Sequence, residues 1–500
     1  MISRELPVRI YSAAQCKALD RRAINTLGIS GYALMQRAAH SALALLRSLW
    51  PEVRSLSVWA GGGNNGGDAV VLARLAHELG WQVQVIIANS KTRLNASGEA
   101  AAAWAELPAP VKVETFNKAL QIQGELIVDG LLGIGLKGEV RPPVSEMIEM
   151  VNRSGLPVLS LDQPSGLDAD TGSLLGCAVK ADATLSFIAN KLGWLTGQGP
   201  AFSGRRYWSS LGLPETVFEG MEPFAYISSK TQLQDLLPRR PATAHKGMYG
   251  TLCIIGGNRG MGGSIIMAAE AALRAGAGRV VLLTQPEHIA ASLARVPEVM
   301  VHGVNDPNDC LPLLQGCNAL VVGPGLGQDA WAKALLGLAE SFDGPRVYDA
   351  DALNLMAACQ LRAGENAVCT PHPGEAGRML GLSVKQIQQD RVAAVLNLER
   401  KFGGVQVLKG AGTLTVYRGR IEVCDRGNPG MATAGMGDIL SGIIGALIAQ
   451  GLSPSDAAAC GVYIHARAGD LAAAQGERGL LASDLLRQIR RVVNHNEIED

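Results

Sequence analysis

The stretch SLSVWAGGGNNGGDAVVLARLAHELGWQVQVIIA, residues 55–88, decides the fold of the first part of the chain. An apolar run at 55–60 leads into a glycine-rich loop, and apolar residues then recur at helical spacing from 70 to 79. Gly80 ends that pattern, and a second apolar run follows at 81–88. This order predicts a βαβ unit with a parallel sheet, which places the glycine loop at the carboxyl end of the first strand.

Two series of strands separated by helices predict an α/β protein of two domains. Further apolar runs predict strands at Leu126–Asp129, Val158–Asp162 and Ala183–Phe187, which complete a doubly wound, Rossmann-like domain. The strands predicted for the second series are Thr251–Ile255, Arg279–Thr284, Ala319–Val322, Arg346–Asp349, Ala367–Thr370 and Val405–Leu408. The stretch 213–248 carries four prolines and little periodicity. We therefore place the boundary at about residue 225 and predict domains 1–225 and 226–500.

Two helices of the second series are marked by their apolar spacing. They are predicted at Ile265–Ala275 and Val384–Phe402, and Ser383 with Gln386 forms a capping box for the second. The most apolar helical stretch, Ile439–Ala449, is much shorter than the ~20 residues that a membrane span needs.

Composition and charge exclude several classes of protein. The formal net charge is zero, so no basic surface indicates a nucleic acid or a membrane as partner. The nine cysteines form no C-x-x-C pair, and the first ten residues, MISRELPVRI, show no secretory pattern. We therefore expect a cytoplasmic protein with reduced thiols. We also expect a homo-oligomer, of a size that the sequence does not specify.

The loop GGGNNGGD, residues 61–68, matches the dinucleotide-binding pattern G-x-G-x-x-G only formally. Dehydrogenases with this pattern carry an acidic residue about 20 positions further on, which holds the ribose. The second strand here ends in Ile-Ile-Ala-Asn at 86–89, so a hydride-transfer domain is disfavoured. The glycines and the helix start still favour a pyrophosphate, and the asparagine oxygens favour a cation. A glycine-rich turn without a ligand is the alternative.

Two later strand ends carry aspartates in similar loops. LIVDGLLGIGLKGEVR (126–141) contains Asp129, and LSLDQPSGLDADTG (159–172) contains Asp162. Together with the loop at 61–68, these segments resemble the YjeF N-terminal domain, the NAD(P)H-hydrate epimerase family, over about residues 10–215. One departure is Ala69, where relatives commonly carry glycine.

The resemblance implies a potassium ion held by Asn65, Asp129 and Ser165. It also implies that the hydrated nucleotide contacts Asn64, Asn65, Gly66, Gly67, Asp68, Gly133, Ile134, Gly135, Leu136, Lys137, Gly138, Glu139 and Asp162. Asp162 is the predicted catalytic residue, because inverting a carbon that bears a hydroxyl beside a ring nitrogen requires proton transfer. Asp168 and Asp170 are alternative acid–base candidates, although carboxylates in an Asx turn need no catalytic role.

The second domain lacks the patterns of two large enzyme classes. No G-x-x-x-x-G-K-[ST] and no G-x-S-x-G occurs, which excludes a P-loop kinase and the usual serine hydrolase. Six strand-end loops occur instead: GGNRGMGG (256–263), GPGLG (323–327), DADALN (349–354), TPHPGEAGR (370–378), KGAGT (409–413) and NPGMATAGMGD (428–438). Their order resembles the ribokinase-like superfamily, and within it the YjeF C-terminal dehydratase family, over about residues 230–495.

That resemblance implies ADP as the phosphoryl donor, with Mg²⁺, and Asp438 as the general base for the acceptor hydroxyl. The Gly435–Asp438 segment is predicted to open a helix at Ile439, whose N–H groups would form an anion hole. The residues implied to bind the nucleotide are Lys409, Gly410, Ala411, Gly412, Thr413 and Gly437. Gly325, His372 and Asp438 would face the hydrated nicotinamide nucleotide. The alternatives are a plain N-cap for Asp438 and a structural loop histidine for His372.

The two implied activities are chemically complementary. Hydration of NADH and NADPH gives R and S epimers, NADHX and NADPHX, and a dehydratase that accepts only the S epimer needs an epimerase to supply the rest. The alternative is a vitamin-precursor kinase fused to a nucleotide-binding scaffold domain. His372 within TPHPGEA, and the presence of Asp129 and Asp162, favour the repair enzyme.

Overall fold

A mostly parallel β-sheet lies at the centre of each half of the protein. The computed structural model describes residues 2–495, and the chain divides into two units, residues 1–226 and 227–500.

In the first unit, the sheet of eight strands has the order β1-β9-β8-β7-β6-β3-β4-β5. Its strands are parallel from β3 to β9, and β1 joins β9 antiparallel. The strands of this sheet are β1 (Ile2–Ser3), β3 (Ser55–Ala60), β4 (Gln82–Ile87), β5 (Lys112–Thr115), β6 (Leu126–Gly130), β7 (Val158–Leu161), β8 (Ala183–Phe187) and β9 (Arg205–Ser209). Two short strands outside it, β2 (Arg9–Ile10) and β10 (Ala225–Ile227), pair with each other antiparallel. The helices are α1 (Ala13–Leu27), α2 (Gly31–Leu49), α3 (Asn64–Glu78), α4 (Lys91–Leu94), α5 (Gly98–Ala105), α6 (Val144–Arg153) and α7 (Gly199–Phe202), with 3-10 turns at Leu192–Trp194 and Glu215–Phe218.

The strand order creates the crevice in which such sheets bind ligands. β3 and β6 are neighbours, and the chain runs from β3 to β4 on one side and from β6 to β7 on the other, so the crevice lies at the carboxyl ends of β3 and β6. The predicted βαβ unit is confirmed, but α3 begins at Asn64, inside the segment predicted as loop. Gly66 thus lies in the first turn, where an added Cβ would be 1.9 Å from the Gly61 carbonyl oxygen. This contact explains why the turn requires glycine.

In the second unit, the strands have the order β13-β12-β11-β14-β15-β16-β17-β18-β19. They are parallel as far as β17, and β18 and β19 are antiparallel. The strands are β11 (Thr251–Ile255), β12 (Arg279–Thr284), β13 (Met300–Gly303), β14 (Ala319–Val322), β15 (Arg346–Tyr348), β16 (Ala367–Cys369), β17 (Val405–Leu408), β18 (Leu414–Tyr417) and β19 (Arg420–Val423). All six predicted strands are confirmed to within one residue at their ends.

Helices cover both faces of this second sheet. They are α8 (Lys230–Leu236), α9 (Gly262–Ala275), α10 (Ile289–Arg295), α11 (Leu311–Leu314), α12 (Ala330–Glu340), α13 (Ala350–Cys359), α14 (Pro373–Leu380), α15 (Val384–Gln389), α16 (Arg391–Phe402), α17 (Met436–Ala449), α18 (Pro454–Ala472) and α19 (Ala482–Val493). Short 3-10 turns lie at Lys246–Tyr249, Pro286–His288, Pro307–Cys310, Pro429–Met431 and Ala473–Gln475. Within residues 2–495, none of the helices is both long and apolar enough to cross a bilayer.

Three helix predictions are wrong in their bounds. The helix predicted at Ile265–Ala275 begins at Gly262. The single helix predicted at Val384–Phe402 is two helices, because Asp390 leaves the helical conformation and its side chain accepts a hydrogen bond from the N–H of Ala393 (2.8 Å). The capping box of Ser383 and Gln386 is confirmed. α17 begins at Met436, three residues earlier than expected, with Gly435 as its N-cap. Asp438 therefore lies in the first turn, and its interpretation as a plain N-cap is wrong.

Candidate active sites

In the first unit, a cavity of about 820 Å³ opens at the carboxyl ends of the parallel strands. Ten of the predicted nucleotide-contact residues line it: Asn64, Asn65, Gly66, Asp68, Gly133, Ile134, Gly135, Leu136, Lys137 and Asp162. Three do not. Gly67 instead lies against Met35, whose Cε would be 2.5 Å from an added Cβ, and Gly138 and Glu139 are exposed to solvent beyond the wall.

An ion pair between Asp162 and Lys191 occupies the inner wall of this cavity. Asp162 directly follows β7, has a left-handed backbone (φ 61°) and donates its N–H to the oxygen of Leu185 (2.8 Å). Lys191 Nζ contacts Asp162 Oδ1 and donates to Ser186 Oγ (2.7 Å). The Lys191 side chain is 2% exposed. Burial lowers the pKa of Lys191, but the charge and hydrogen bond of Asp162, together with nearby Cys16 and Asp20, outweigh it and hold the pKa above its usual value, so the lysine is charged.

Two further carboxyl groups of the cavity wall are easily protonated. Burial, reinforced by the charge of Asp162, raises the pKa of Asp20 to about 6. Burial and the charges of Asp162 and Asp20 raise the pKa of Asp68 well above its usual value. The cavity therefore combines a carboxylate paired with an ammonium group and carboxyl groups that can hold a proton near neutral pH. Such a division suits acid–base chemistry.

Lys191 and Asp20 were not predicted from the sequence. Lys191 is the only charged residue in the apolar run 183–195, which is the signal that could have indicated it. Asp20 lies on α1, more than a hundred residues before Asp162, and no local pattern connects the two.

Oxygen atoms converge around Asp129 at the end of β6. Its fully buried carboxylate accepts hydrogen bonds from Ser160 Oγ (2.8 Å), Ser165 N–H (2.9 Å) and Ser165 Oγ (2.5 Å). Asn65 Nδ2 donates to the Leu132 oxygen (3.0 Å), while Asn65 Oδ1 is buried and has no hydrogen-bond partner among residues 2–495. Burial raises the pKa of Asp129, and the described part of the chain gives it no ion pair. A buried carboxylate beside an unpartnered amide oxygen fits a bound cation.

Asp168 and Asp170 lie outside the cavity wall. Asp168 Oδ1 accepts from the N–H of Asp170 (3.0 Å) and of Thr171 (2.8 Å), which forms an Asx turn. Asp170 accepts from the N–H of Ala13 (2.7 Å) and so fixes the start of α1. These contacts support the structural interpretation of both residues.

In the second unit, loops from three strand ends bring a lysine and two carboxyl groups together. Lys409 Nζ lies 2.8 Å from Asp349 Oδ1 and 3.8 Å from Glu375 Oε2. Burial lowers the pKa of Lys409, but Asp349 and Glu375 raise it above its usual value. An added Cβ on Gly437 would lie 3.2 Å from Lys409 Nζ, so the first turn of α17 adjoins this pair.

Asp438 is one of two carboxyl groups of this centre with a strongly raised pKa, since burial also raises the pKa of Glu375 to about 7. Burial, and next the negative charge of Asp349, raise the pKa of Asp438 to about 7, while a hydrogen bond with Ser264 and the charge of Lys409 act in the opposite direction. Gly325 also adjoins Ser264, whose Cβ would lie 3.3 Å from a Cβ at position 325. Two of the residues predicted to face the substrate, Gly325 and Asp438, are thus brought to one place.

The other predicted ligand loops lie at the same strand ends. The Lys409–Thr413 segment follows β17, with Gly410 beside Arg391 and Thr413 Oγ1 donating to the Gly410 oxygen (3.0 Å). His372 is the N-cap of α14, and its Nδ1 accepts from the N–H of Gly374 (2.9 Å). This supports a structural role for His372, yet half of its side chain is exposed. Burial and the charge of Lys409 lower its pKa, which favours the neutral ring.

The fold and these two acid–base centres are those of a two-unit α/β enzyme. Residues 31–193 match the family described as YjeF-related protein N-terminus, and residues 252–491 match NAD(P)H-hydrate dehydratase. The chain is 46% identical to the bifunctional NAD(P)H-hydrate repair enzyme of Coxiella burnetii, covering 97% of this chain and 99% of that one. It is 43% identical to that of Escherichia coli, covering 98% and 95%. The chain belongs to the family of bifunctional NAD(P)H-hydrate repair enzymes.

Among solved structures, a hypothetical protein of Streptococcus mutans is similar to the ribokinase-like part. It is 28% identical, has a TM-score of 0.50, and the match covers 54% of this chain and 99% of that one. The family assignment excludes the vitamin-precursor kinase with a scaffold domain.

Proposed function

We propose that the unit before residue 225 interconverts the R and S epimers of NADHX and NADPHX, and that the unit after it dehydrates the S epimer. As a member of its family, the chain is a bifunctional enzyme of NAD(P)H-hydrate repair. The observation that carries the assignment of the two reactions is that each unit has its own buried carboxylate–lysine centre at the carboxyl ends of its sheet.

In the epimerase, Asp162 takes part in moving protons to and from the oxygen on the carbon that is inverted. Departure of the hydroxyl as water, aided by the ring nitrogen, leaves a planar cation, and water returning to the other face gives the opposite epimer. The leaving hydroxyl needs a proton donor, and the returning water needs an acceptor. Asp162, paired with Lys191, is suited to accept a proton from the returning water. The carboxyl groups of Asp20 and Asp68 are suited to donate a proton to the leaving hydroxyl.

A potassium ion at Asn65, Asp129 and Ser165 is supported by the unpartnered Asn65 oxygen and the buried Asp129 carboxylate. When bound, the ion would supply positive charge that balances the buried Asp129 carboxylate. Asp129 and Ser165 would also hold the loop that follows β6 in place, since Leu132 N–H donates to Ser165 Oγ (2.8 Å).

In the dehydratase, Asp438 accepts the proton of the S hydroxyl as that oxygen attacks the β-phosphate of ADP, releasing AMP. Loss of phosphate from the carbon that bore the hydroxyl, and of a proton from the adjacent ring carbon, then restores the double bond of the reduced nicotinamide and yields inorganic phosphate. The N–H groups at the start of α17 and the Lys409–Thr413 loop would bind the phosphates, with Mg²⁺ on the nucleotide. Gly325 and His372 would face the hydrated ring. The cytoplasmic location and the homo-oligomeric state stay predictions from the sequence.

The proposal is tested with the purified R epimer of NADPHX as the only substrate. With ADP and Mg²⁺, NADPH should form, because the chain first inverts the R epimer and then dehydrates the product. The S epimer alone should react without needing potassium, whereas the R epimer should require it. Failure of the R epimer to yield NADPH faster than in the absence of protein would contradict the two-step proposal.

A further inference from the structure

We propose that the second unit contains a separate binding site for a diphosphate group. It is a cavity at the amino ends of the strands, whereas the catalytic loops lie at their carboxyl ends. The cavity measures about 1240 Å³. Tyr249 and Gly276, which line the cavity, lie shortly before β11 and β12 in the sequence. The cavity therefore lies at the amino ends of these strands. The Lys409–Thr413 loop follows the carboxyl end of its strand, so neither proposed reaction uses this cavity.

The wall of the cavity is strongly positive. Five arginines line it, Arg239, Arg240, Arg274, Arg295 and Arg490, against two glutamates, Glu270 and Glu298. Arg274 and Arg295 both pair with Glu270, at 3.3 and 3.0 Å. Arg239 and Arg490 form no ion pair within residues 2–495. Two guanidinium groups therefore remain to bind an anion.

The guanidinium group of Arg240 is held in one orientation by its neighbours. Its Nη2 donates to the Gly276 oxygen (2.6 Å) and to Gln450 Oε1 (2.9 Å), and the guanidinium lies 3.5 Å above the Tyr249 ring. Held on three sides, this group is oriented before any ligand arrives, which reduces the entropy lost on binding.

Two residues that line the cavity also carry buried polar atoms without a hydrogen-bond partner in the described part of the chain. Tyr249 Oη is buried and has no hydrogen-bond partner in the described chain. His495 Nδ1 is likewise buried without a partner among those residues, while its Nε2 lies 3.3 Å from the Leu237 oxygen. A phosphate in the cavity would accept charge-assisted hydrogen bonds from the guanidinium groups of Arg239 and Arg490. Arginine pairs with phosphate in a two-point geometry, and the net positive wall suits two phosphates better than one.

The test compares the double variant Arg239→Gln/Arg490→Gln with the control variant Arg487→Gln. Arg487 is exposed and lies on α19, the helix of Arg490, but does not line the cavity. Calorimetric titration of the full chain with inorganic pyrophosphate should show binding that the double variant weakens at least tenfold, because each lost charge-assisted hydrogen bond accounts for about a tenfold change. Arg487→Gln should bind as the wild type does. Dehydration of the S epimer without added pyrophosphate should be equal in all three, which shows that each is folded.

A second titration, with ADP, distinguishes a nucleotide from a free diphosphate as the source of the group. Two ADP sites per chain in the wild type and one in the double variant mean that a nucleotide is accepted; one site in both, with pyrophosphate still bound, means that the free diphosphate is preferred. The proposal is overturned if pyrophosphate does not bind, if the double variant binds it as tightly as the wild type, or if Arg487→Gln weakens binding equally. Because catalysis is measured separately, failure here leaves the proposed function untouched.

Discussion

Replacing Asp438 by asparagine should make the second unit more stable and nearly inactive at the same time. The substitution keeps the volume of the side chain and leaves the Gly435 cap of α17 in place. It removes the carboxylate that accepts the hydroxyl proton, and general-base catalysis contributes about 10²–10⁴-fold. Dehydration of the S epimer should fall by that factor, while ADP still binds and epimerisation continues.

The change in stability follows from the pKa of Asp438, which burial raises from 3.8 to about 7. Below pH 4 the carboxyl is protonated in both the folded and the unfolded chain, and it costs nothing. Between pH 4 and 7 only the unfolded chain releases the proton, so the cost of the buried charge grows with pH and is complete above 7. The shift corresponds to at most about 4 kcal/mol, which access of solvent to the partly buried group reduces to about 1–2 kcal/mol.

The assay is denaturant unfolding of the wild type and Asp438→Asn at pH 5 and pH 8, with Asp343→Asn, an exposed aspartate, as the control. The variant should exceed the wild type in unfolding free energy by more at pH 8 than at pH 5, and Asp343→Asn should show no such difference. Wild-type dehydration should also increase as the pH rises through about 7. Dehydration at the wild-type rate, or a loss of stability at pH 8, would refute the assignment of Asp438 as a buried base.

Other substitutions test the first unit and the division of the chain. Asp162→Asn should abolish interconversion of the epimers, followed by chromatography, and leave dehydration of the S epimer unchanged; continued interconversion would contradict its role. Lys191→Met should lower the unfolding free energy by about 3 kcal/mol, because it leaves a carboxylate unpaired, and should slow epimerisation; unchanged stability would mean that the ion pair is unimportant. Asn65→Ala should remove the stabilisation that KCl gives over NaCl in thermal unfolding, and a retained difference would place the ion elsewhere. Chains 1–226 and 227–500 should each unfold cooperatively when expressed alone, unless the boundary is misplaced.

Much of the fold could be predicted because buried parallel strands leave a clear signal. The strands that carry the sites are continuous apolar runs followed directly by glycine or aspartate, and so Asp129 and Asp162 could be placed at strand ends without a structure. Strands β18 and β19 were missed. They form an antiparallel pair after the last parallel strand, and each is only four residues long, too short for its alternation to stand out beside the continuous apolar runs.

What could not be predicted depends on contacts between distant residues or on local competition within a helix. The break at Asp390 occurs because a side chain satisfies the N–H of Ala393, while the apolar spacing continues across it. The ion pair of Lys191 with Asp162, and the position of Asp20 beside them, require the packing of α1 against strand ends that lie far along the sequence. The early start of α17 reflects glycines that the helix accommodates because tight packing compensates for their low helix propensity.

The most direct test of two consecutive active sites on one chain is a mixing experiment with two single-site variants. The R epimer of NADPHX is incubated with ADP, Mg²⁺ and potassium, and the return of NADPH absorbance is followed. Asp162→Asn alone and Asp438→Asn alone should each give no NADPH above the rate without protein, and an equal mixture of the two should restore its formation. NADPH formed by either variant alone, or a mixture that stays inactive although each variant retains its other activity, would contradict the account.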